Sequence, residues 1–380
     1  MKELETYKAG HFEKGTGYSY FVPGKINEQW IWKDAPLNTL LEKASKALGE
    51  LNSYAKLVPN IELFIHLHVT KEAVISNRIE GTQTNINEAL LPEDEISPER
   101  KDDWMEVKNY TEGLNFAINE LENLPLSSRL LRKTHEILLQ GVRGKFKTPG
   151  EYRTSQNWIG GASLADAKFI PPAVHYVDDL MSDLEKFLHN DHIQVPILVK
   201  AAIAHYQFET IHPFLDGNGR IGRLLITLYL VDQKVLEKPL LYLSAFFEKN
   251  KSLYYDNLTY VREKNDLLRW IKYFLIGIEE TSIQAVKTLS EIIQMKQQKE
   301  NLIRENLKRR THTGLQLLEH LFIEPAITVS QVEIICNVSK KPAHELVRQF
   351  LELGILKELT GKKRYRIFLF KDYLDKFDSH

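Results

Sequence analysis

The chain has 380 residues, 43% of them hydrophobic and 10% aromatic, which is enough to fill the cores of about two or three domains. Its 50 basic and 51 acidic residues give a formal net charge of -1, so no overall charge draws the molecule to nucleic acid or to anionic lipid. A single cysteine, Cys336, excludes an internal disulfide and any metal site built from several cysteines. This cysteine usage predicts a reducing compartment, the cytosol.

The amino-terminal residues MKELETYKAG carry charges where a signal peptide needs an apolar core. The longest apolar runs, such as Leu224 to Val231, are much shorter than a bilayer span. We therefore expect neither export nor a membrane anchor.

Apolar residues recur at three- and four-residue steps from Leu37 to Leu91, which predicts helices, the second of them starting near Ile61. The acidic stretch from Leu91 to Asp103 contains prolines and has no apolar period, so it is predicted to be an exposed loop. Further helices are expected near 104–121 and 127–139. We expect residues 1–110 to form a helical region.

The segment from Thr148 to Pro172 breaks this helical character and predicts a short β-hairpin, with Gly160 and Gly161 near its turn. Helices are expected to resume after Pro196 and to run to about Thr210. A buried amphipathic helix is predicted directly behind the glycine-rich stretch HPFLDGNGRIGR. Beyond it we expect helices over 251–261 and 267–278 and a long charged helix to about residue 308.

The sequence pattern changes over residues 311–370 and predicts three short helices followed by a β-wing with Gly361 at its turn. Between Lys340 and Arg366 there are eight Lys or Arg residues and three Glu residues. This segment is therefore locally basic in an otherwise neutral chain, and its charge could meet the phosphates of DNA.

The stretch from His212 to Arg223 has the composition of a polyphosphate site. Gly217 and Gly219 allow a sharp turn and a close approach of backbone to ligand, and the following helix directs its free N–H groups at the loop. Arg220 and Arg223 add two permanent guanidinium groups suited to phosphate oxygens.

Two further side chains in this loop are of types that take part in catalysis. Asp216 can bind magnesium through a carboxylate oxygen, and His212 titrates near neutrality, so it can take the proton of an incoming hydroxyl. Asp-Gly and Asn-Gly pairs are also ordinary turn residues, which is the simpler reading of DGNG alone. The histidine and two arginines at fixed offsets favour the site.

The full string resembles the signature of the Fic family: His, any residue, Phe, any residue, Asp or Glu, Gly, Asn, Gly, Arg, two further residues and Arg. The resemblance covers roughly residues 30–280. Every defined position is present, as His212, Phe214, Asp216, Gly217, Asn218, Gly219, Arg220 and Arg223.

The resemblance implies a protein adenylyltransferase that uses ATP and Mg²⁺. It implies that His212 is the general base, that Phe214 anchors the loop and that Asp216 binds the metal. Family phosphotransferases carry Lys at the position of Gly219, so the glycine favours AMP transfer. The implied ATP contacts in the loop are Gly217, Asn218, Gly219, Arg220, Ile221, Gly222 and Arg223.

Two other regions extend the resemblance. The predicted hairpin is similar to the Fic flap, which aligns a target protein by β-strand addition and brings its hydroxyl to the histidine. Tyr254 and Tyr255 resemble an aromatic pair lining the adenine pocket, although tyrosines on a helix are more often plain core. Arg262 stands where many relatives have Asn.

Ser76 to Gly81 matches the family's inhibitory motif: Ser or Thr, three residues, Glu, then Gly or Asn. Ser76 and Glu80 are four residues apart and share one helix face. A Glu80 carboxylate brought to Arg223 would occupy the guanidinium that the γ-phosphate needs. A solvated Ser and Glu on a surface helix is the alternative. In some relatives the same glutamate assists removal of AMP.

These expectations combine into a mainly α fold with a small β-hairpin flap. The predicted divisions are a helical region over 1–110 with an inhibitory helix at about 61–81, a Fic catalytic domain over 111–300 and a winged helix over 301–380. The expected activity is AMP transfer to Ser, Thr or Tyr hydroxyls of a target protein or of the chain itself.

The alternative function is a DNA-binding regulator whose Fic domain senses nucleotide. For the winged helix, dimerisation or substrate docking is favoured over DNA contact because fold does not fix function. A homodimer and a protein target that docks on the flap are the partners expected.

Overall fold

A computed structural model describes residues 1–57, 61–359, 361 and 366–378. Within them the chain is mainly helical with three small sheets. The helices are α1 (Ala35–Leu57), α2 (Glu62–Ile79), α3 (Ile86–Ala89), α4 (Lys101–Glu120), α5 (Ser128–Leu138), α6 (Val177–His189), α7 (Ile197–Ile211), α8 (Asn218–Asp232), α9 (Ser244–Lys249), α10 (Lys251–Lys264), α11 (Leu267–Asn306), α12 (Thr311–Ile323), α13 (Val329–Ile335), α14 (Lys340–Glu352) and α15 (Lys371–Asp378). The strands are β1 (Lys2–Glu3), β2 (Gly10–Lys14), β3 (Ser19–Pro23), β4 (Trp30–Ile31), β5 (Ala326–Thr328), β6 (Lys357–Glu358) and β7 (Ile367–Leu369).

Helices α7 and α8 form the centre of the molecule. Every residue of α7 from Leu198 to Ile211 is buried, and so is nearly all of α8. Such helices need apolar surroundings on all sides, which the surrounding helices supply. The short connection between α7 and α8 is the glycine-rich stretch, and the two helices hold it at a fixed place at the edge of the core, with Phe214 buried.

The region predicted to be helical, 1–110, opens with four short strands instead. β1 pairs with β4 in parallel and β2 pairs with β3 in an antiparallel hairpin. Phe21 and Trp30, on β3 and β4, pack in the main core. Strands this short are stabilised by the surface they pack on, so a local sequence pattern does not reveal them.

Three other predictions need correction. Helix α6 was not predicted, although Val177, Leu180, Leu184 and Leu188 recur at helical spacing and are buried. The two helices expected between 267 and 308 are the single helix α11, which also crosses the predicted domain boundary at residue 300. The hairpin expected over 148–172 is reduced to one antiparallel bridge between Ile159 and Phe169.

The order of elements predicted for residues 311–370 is present. Helices α12, α13 and α14 are followed by β6 and β7, and a short strand, β5, completes a sheet of order β5, β7, β6. Most of the expected wing tip, 362–365, lies outside the described residues, whereas its turn residue Gly361 has a positive φ of 59°.

This carboxy-terminal part packs directly on α2. The ring centroids of Phe64 and Phe322 are 5.8 Å apart, and those of His68 and Phe377 are 6.3 Å apart. The amino-terminal half of α2 is therefore covered by the last part of the chain. Within the described residues, none of the helices combines the length and the apolar character that a membrane span requires.

Asp183 on α6 ties the amino-terminal segment to the core, because its Oδ2 accepts hydrogen bonds from the N–H groups of Ile26 (2.6 Å) and Asn27 (3.3 Å). We expect Asp183→Ala to lower the free energy of unfolding by about 1 to 3 kcal/mol, since two N–H groups lose their acceptor. Urea denaturation measures this change. Asp179→Ala on the exposed side of α6 is the control, and equal losses for the two variants would contradict the assignment.

Candidate active site

His212 ends α7 in a left-handed conformation, with φ 51° and ψ 59°. A residue other than glycine adopts this conformation at a cost, so its surroundings must hold it there. Arg153 Nε donates to the His212 carbonyl oxygen at 3.0 Å, and Asn157 Nδ2 donates to the same oxygen at 3.1 Å. The backbone of His212 is thus clamped by two side chains from the segment before α6.

The His212 ring is held in one protonation state. Burial lowers its pKa to about 4, with Arg153 adding to the decrease and the Glu209 carbonyl opposing it. Nδ1 lies 3.3 Å from that carbonyl oxygen, which can only accept, so Nδ1 carries the proton. At neutral pH the ring is therefore uncharged, and Nε2 has a free lone pair that can accept a proton.

Asn218 closes the loop between α7 and α8. Its Oδ1 accepts from the N–H of Phe214 and its Nδ2 donates to the carbonyl of Phe214, both at 2.8 Å. The Asn218 side chain is buried. Its amide is thus used to fix the loop, and its backbone N–H at the start of α8 is the group left for a phosphate.

His135 on α5 is a positioning residue that sequence reasoning missed. Its ring stacks on Phe214 with centroids 3.8 Å apart and an interplanar angle of 9°. Nδ1 accepts from Gly150 N–H at 2.9 Å, so Nε2 carries the proton and donates to the Asp216 carbonyl at 2.9 Å. The only signal in the sequence was the position of His135 between Leu131 and Leu138 on the buried face of a predicted helix.

Asp216 stands at the mouth of the loop with 43% of its side chain exposed. Its Oδ1 accepts from the N–H of Gly217 at 2.6 Å. No cluster of three or more His, Cys, Asp or Glu side chains in the described residues is arranged to hold a metal ion alone. One exposed carboxylate beside a phosphate site fits magnesium, which usually binds through one or two carboxylates, water and substrate phosphates.

Arg220 is buried and already has protein partners. Its Nη1 lies 3.0 Å from Glu106 Oε2 and 3.2 Å from Asn77 Oδ1. Glu106, which sequence reasoning missed, also accepts from Arg143 Nε at 2.9 Å. Arg220 therefore joins α8 to α2 and α4, and this contact competes with the phosphate role that the sequence implied.

Arg223 and Glu80 are brought together from positions 143 residues apart. Arg223 Nη2 lies 2.7 Å from Glu80 Oε1 and donates at 2.9 Å to the Ser76 carbonyl, while Nε donates at 2.9 Å to Ser76 Oγ. Burial opposes ionisation of Glu80, but the Arg223 charge and hydrogen bond outweigh it and lower the Glu80 pKa. The pair is ionised at neutral pH.

Glu80 also lies against the first turn of α8. A Cβ added to Gly219 would clash with Glu80 Oε1 and stand 3.0 Å from Arg223 Nη1. The carboxylate therefore takes up the place beside the free N–H groups of α8 where an anion is expected to bind. A side chain at residue 219 would push Glu80 away.

The two predicted pocket tyrosines have different surroundings. Tyr254 is buried against Phe247, with ring centroids 4.4 Å apart, and its hydroxyl donates to His205 Nε2 at 2.9 Å. His205 in turn donates from Nδ1 to the Gly222 carbonyl at 2.8 Å. Tyr254 thus supports α8 as part of the core, whereas Tyr255 is 39% exposed and open to a ligand.

Ile221 and Gly222, the other two predicted ATP contacts, face the protein interior. The Ile221 side chain is in the core, and its N–H donates to the Gly217 carbonyl at 3.1 Å. A Cβ on Gly222 would clash with Glu209 Oε1. Both residues therefore pack the start of α8 against the protein core, on the side away from the loop.

The flap segment meets α10 through Arg262. The Arg262 guanidinium lies 3.9 Å from the ring centroid of Phe169, which forms the single bridge with Ile159. Trp158, next to that bridge, is 39% exposed. The segment contacts His212 through Asn157, the residue before Trp158, whose Nδ2 donates to the His212 carbonyl.

Comparisons with known proteins find similar sequences over part of this chain and a similar fold. Residues 38–119 match the sequence model described as Fic/DOC family N-terminal, and residues 125–230 match that of the Fic/DOC family. A probable protein adenylyltransferase of Aquifex aeolicus is 30% identical over 176 residues, 46% of this chain and 52% of that protein. The protein adenylyltransferase Fic of Drosophila erecta is 41% identical over 83 residues, 22% of this chain and 15% of that protein. The chain thus spans about half of the first relative and a small part of the second.

A crystal structure of a Fic family protein from Desulfovibrio desulfuricans G20 has a similar fold, with a TM-score of 0.57 at 19% identity. The similarity covers 90% of this chain and 98% of that one. The chain therefore contains the two domains of the Fic/DOC family, the Fic N-terminal region over 38–119 and the Fic domain over 125–230, and the structural similarity shows the shared fold.

Proposed function

We propose that this protein is an adenylyltransferase that transfers AMP from ATP to a Ser, Thr or Tyr hydroxyl of a target protein or of the chain itself. One observation carries the proposal: a neutral His212 with a free Nε2 stands directly before the anion-binding start of α8. The curated relatives from Aquifex aeolicus and Drosophila erecta, both named protein adenylyltransferases, support it.

The geometry suits an in-line displacement at the α-phosphorus. His212 Nε2 takes the hydroxyl proton while the oxygen bonds to phosphorus, and the bond from phosphorus to the bridging oxygen of the β-phosphate breaks, releasing pyrophosphate. The N–H groups at the start of α8 hold phosphate oxygens. Asp216 would hold magnesium, which neutralises phosphate charge when bound.

The low pKa of His212 has a consequence for the reaction. Because burial keeps the ring uncharged at neutral pH, the basic form is fully present without any further loss of a proton. The Nδ1–H bond to the Glu209 carbonyl then stabilises the imidazolium that forms as the hydroxyl proton arrives. Glu209 contributes here through its backbone.

We further propose that Glu80 inhibits this reaction. Its carboxylate holds Arg223 and lies at the start of α8, so it competes with the terminal phosphate for both the guanidinium and the space. Ser76 fixes the other side of the same guanidinium. ATP then binds productively only in the fraction of molecules in which Glu80 has left. Removal of AMP by the same site, with Glu80 assisting, belongs to this proposal as a second reaction.

Residues 311–370 are proposed to be a winged helix that docks protein rather than DNA. On α14, Arg348 lies 2.5 Å from Glu345 and 3.6 Å from Glu352, and Arg366 pairs with Glu358 near the wing. These pairs engage two of the five Lys and Arg residues described between 340 and 366. The DNA-binding regulator gains no support from them, and a homodimer stays a prediction.

The base assignment predicts that His212→Ala lowers AMP transfer by about a hundredfold or more, because a positioned general base contributes a factor of this order. Incorporation of labelled AMP from ATP into protein measures the rate, and calorimetry should show ATP binding largely kept. His175→Ala, at an exposed histidine, is the control. Wild-type transfer by His212→Ala would exclude this residue as the base.

For Asp216→Ala we expect weaker ATP binding in the presence of magnesium and little change in its absence, since the carboxylate acts through the metal. Titration calorimetry with magnesium and with a chelator compares the two conditions. Asp191→Ala, an exposed aspartate outside the loop, should bind as the wild type does in both. If magnesium strengthens ATP binding equally in the Asp216→Ala variant and in the wild type, the metal role is wrong.

Glu80→Gly is expected to raise AMP transfer by about ten- to a hundredfold, because Arg223 and the start of α8 become free for phosphate. Glu80→Gln should raise it less, since the amide loses the charge but still fills the space. Initial rates of labelling at fixed ATP measure both changes. An unchanged or lower rate in a folded Glu80→Gly protein would contradict inhibition by Glu80.

The double variant of Glu80→Gly with Arg223→Ala tests whether the two residues share one site. It should be no more active than Arg223→Ala alone, because the guanidinium that Glu80 blocks is then absent. Independent, additive effects on the labelling rate would show that Glu80 acts elsewhere.

A further inference from the structure

Lys251 makes a contact with the inhibitory helix that lies outside the glycine-rich loop. It is the first residue of α10, and its Nζ donates to the Ile79 carbonyl at 2.6 Å. Ile79 is the last residue of α2 and directly precedes Glu80. The contact therefore joins the end of the inhibitory helix to the helix that carries Tyr254 and Tyr255.

The position of Lys251 is unfavourable for its own helix. A positive charge at the start of α10 faces the positive end of the helix dipole, and the first turn contains no acidic residue to offset it. At the carboxyl end of α2 the same charge is favourable, and it satisfies a carbonyl that has no partner within the helix. The charge of Lys251 thus stabilises the carboxyl end of α2 rather than the start of α10.

Two cations from α8 also contact this end of α2, whose last turn carries Arg78 of its own. Arg220 contacts Asn77, and Arg223 contacts Ser76 and Glu80. An incoming polyphosphate competes directly for Arg223. The partner of Lys251 is the Ile79 carbonyl of the α2 backbone, so this contact is lost when the end of the helix moves.

We propose that Lys251 is a positioning residue for Glu80: by holding the Ile79 carbonyl it keeps the end of α2 in the pose in which Glu80 reaches Arg223. The inference rests on the proposed inhibition by Glu80. Beyond Glu80 the N–H groups of Gly81 and Thr82 donate to the carbonyls of Arg78 and Asn77 within α2, whereas Lys251 holds the end of the helix from a separate element, α10. Without Lys251 the end of α2 moves away more readily, and the inhibited state becomes less populated.

Lys251→Met tests this in the full-length chain, because Met keeps the aliphatic stem and removes the donor. We expect initial rates of AMP transfer to rise about two- to tenfold, the shift in an equilibrium that loss of one such hydrogen bond produces. Lys249→Met, at an exposed lysine two residues earlier, is the matched control and should leave the rate unchanged. Lys251→Arg, which restores a donor, should return the rate toward the wild-type value.

The same substitution in the Glu80→Gly background separates positioning from a general effect. Lys251→Met should add nothing there, because no inhibitory carboxylate is left to position. An equal rise in both backgrounds would overturn the proposal, as would an unchanged or lower rate for a folded Lys251→Met protein. If Lys251→Met does not fold, Lys251→Ala, which also lacks a donor, is measured instead, with the same outcomes.

The result for Glu80→Gly shows which idea fails. If Glu80→Gly raises transfer and Lys251→Met does not, the inference about Lys251 is wrong and the inhibition stands. If neither variant raises transfer, inhibition by Glu80 fails and the role of Lys251 fails with it. If neither the wild type nor any of the variants transfers AMP, the proposed function itself is wrong.

Discussion

The active site depends on how the buried carboxyl end of α7 is satisfied. The last carbonyls of a helix have no partners within it, and here they lie in the centre of the protein where water does not replace them. Arg153, fully buried, donates to the carbonyls of Ile211, His212 and Pro172. Burial lowers the pKa of this guanidinium to about 10, so it stays charged at neutral pH, and a cation suits the negative end of the helix dipole. The same side chain therefore fixes the left-handed turn at His212 and anchors the end of the flap segment.

The end of α2 is built on the same principle but with a different result. Its carbonyls and side chains are also held by cations, from Arg220, Arg223 and Lys251, yet two of these cations stand where a polyphosphate is expected to bind. The contacts that stabilise the helix end are thus in competition with ligand. At α7 the cation is sealed in the core and the geometry is permanent, whereas at α2 Glu80 is 36% exposed, which allows exchange.

Helix α2 also connects the two halves of the chain. Its carboxyl end lies at the start of α8, where Glu80 contacts Arg223, and Phe64 and His68 near its start pack on Phe322 and Phe377 of the carboxy-terminal part. The 18 residues of this one helix therefore join the packing of the carboxy-terminal part to the segment that ends at Glu80.

The sequence alone determined the chemistry of the loop and most of the helices. His212, Asp216 and Arg223 follow from a contiguous motif, and the amphipathic period behind it predicted α8, because spacing within one helix is a local property. The pairing of Glu80 with Arg223 was also predicted, from the resemblance of Ser76 to Gly81 to the family's inhibitory motif.

Only the tertiary structure decided which side chains hold that loop and which of its residues face a ligand. His135, Arg153, Asn157 and Glu106 come from separate elements and act through backbone carbonyls, N–H groups or a buried ion pair, so no local pattern marks them. Packing also assigned Asn218 and Tyr254 to support rather than to the pocket surface, reduced the predicted hairpin to one bridge and created the amino-terminal strands. The physical reason is common to all of these: their free energy comes from contacts between residues distant in the chain, which the order of amino acids specifies only once the chain has folded.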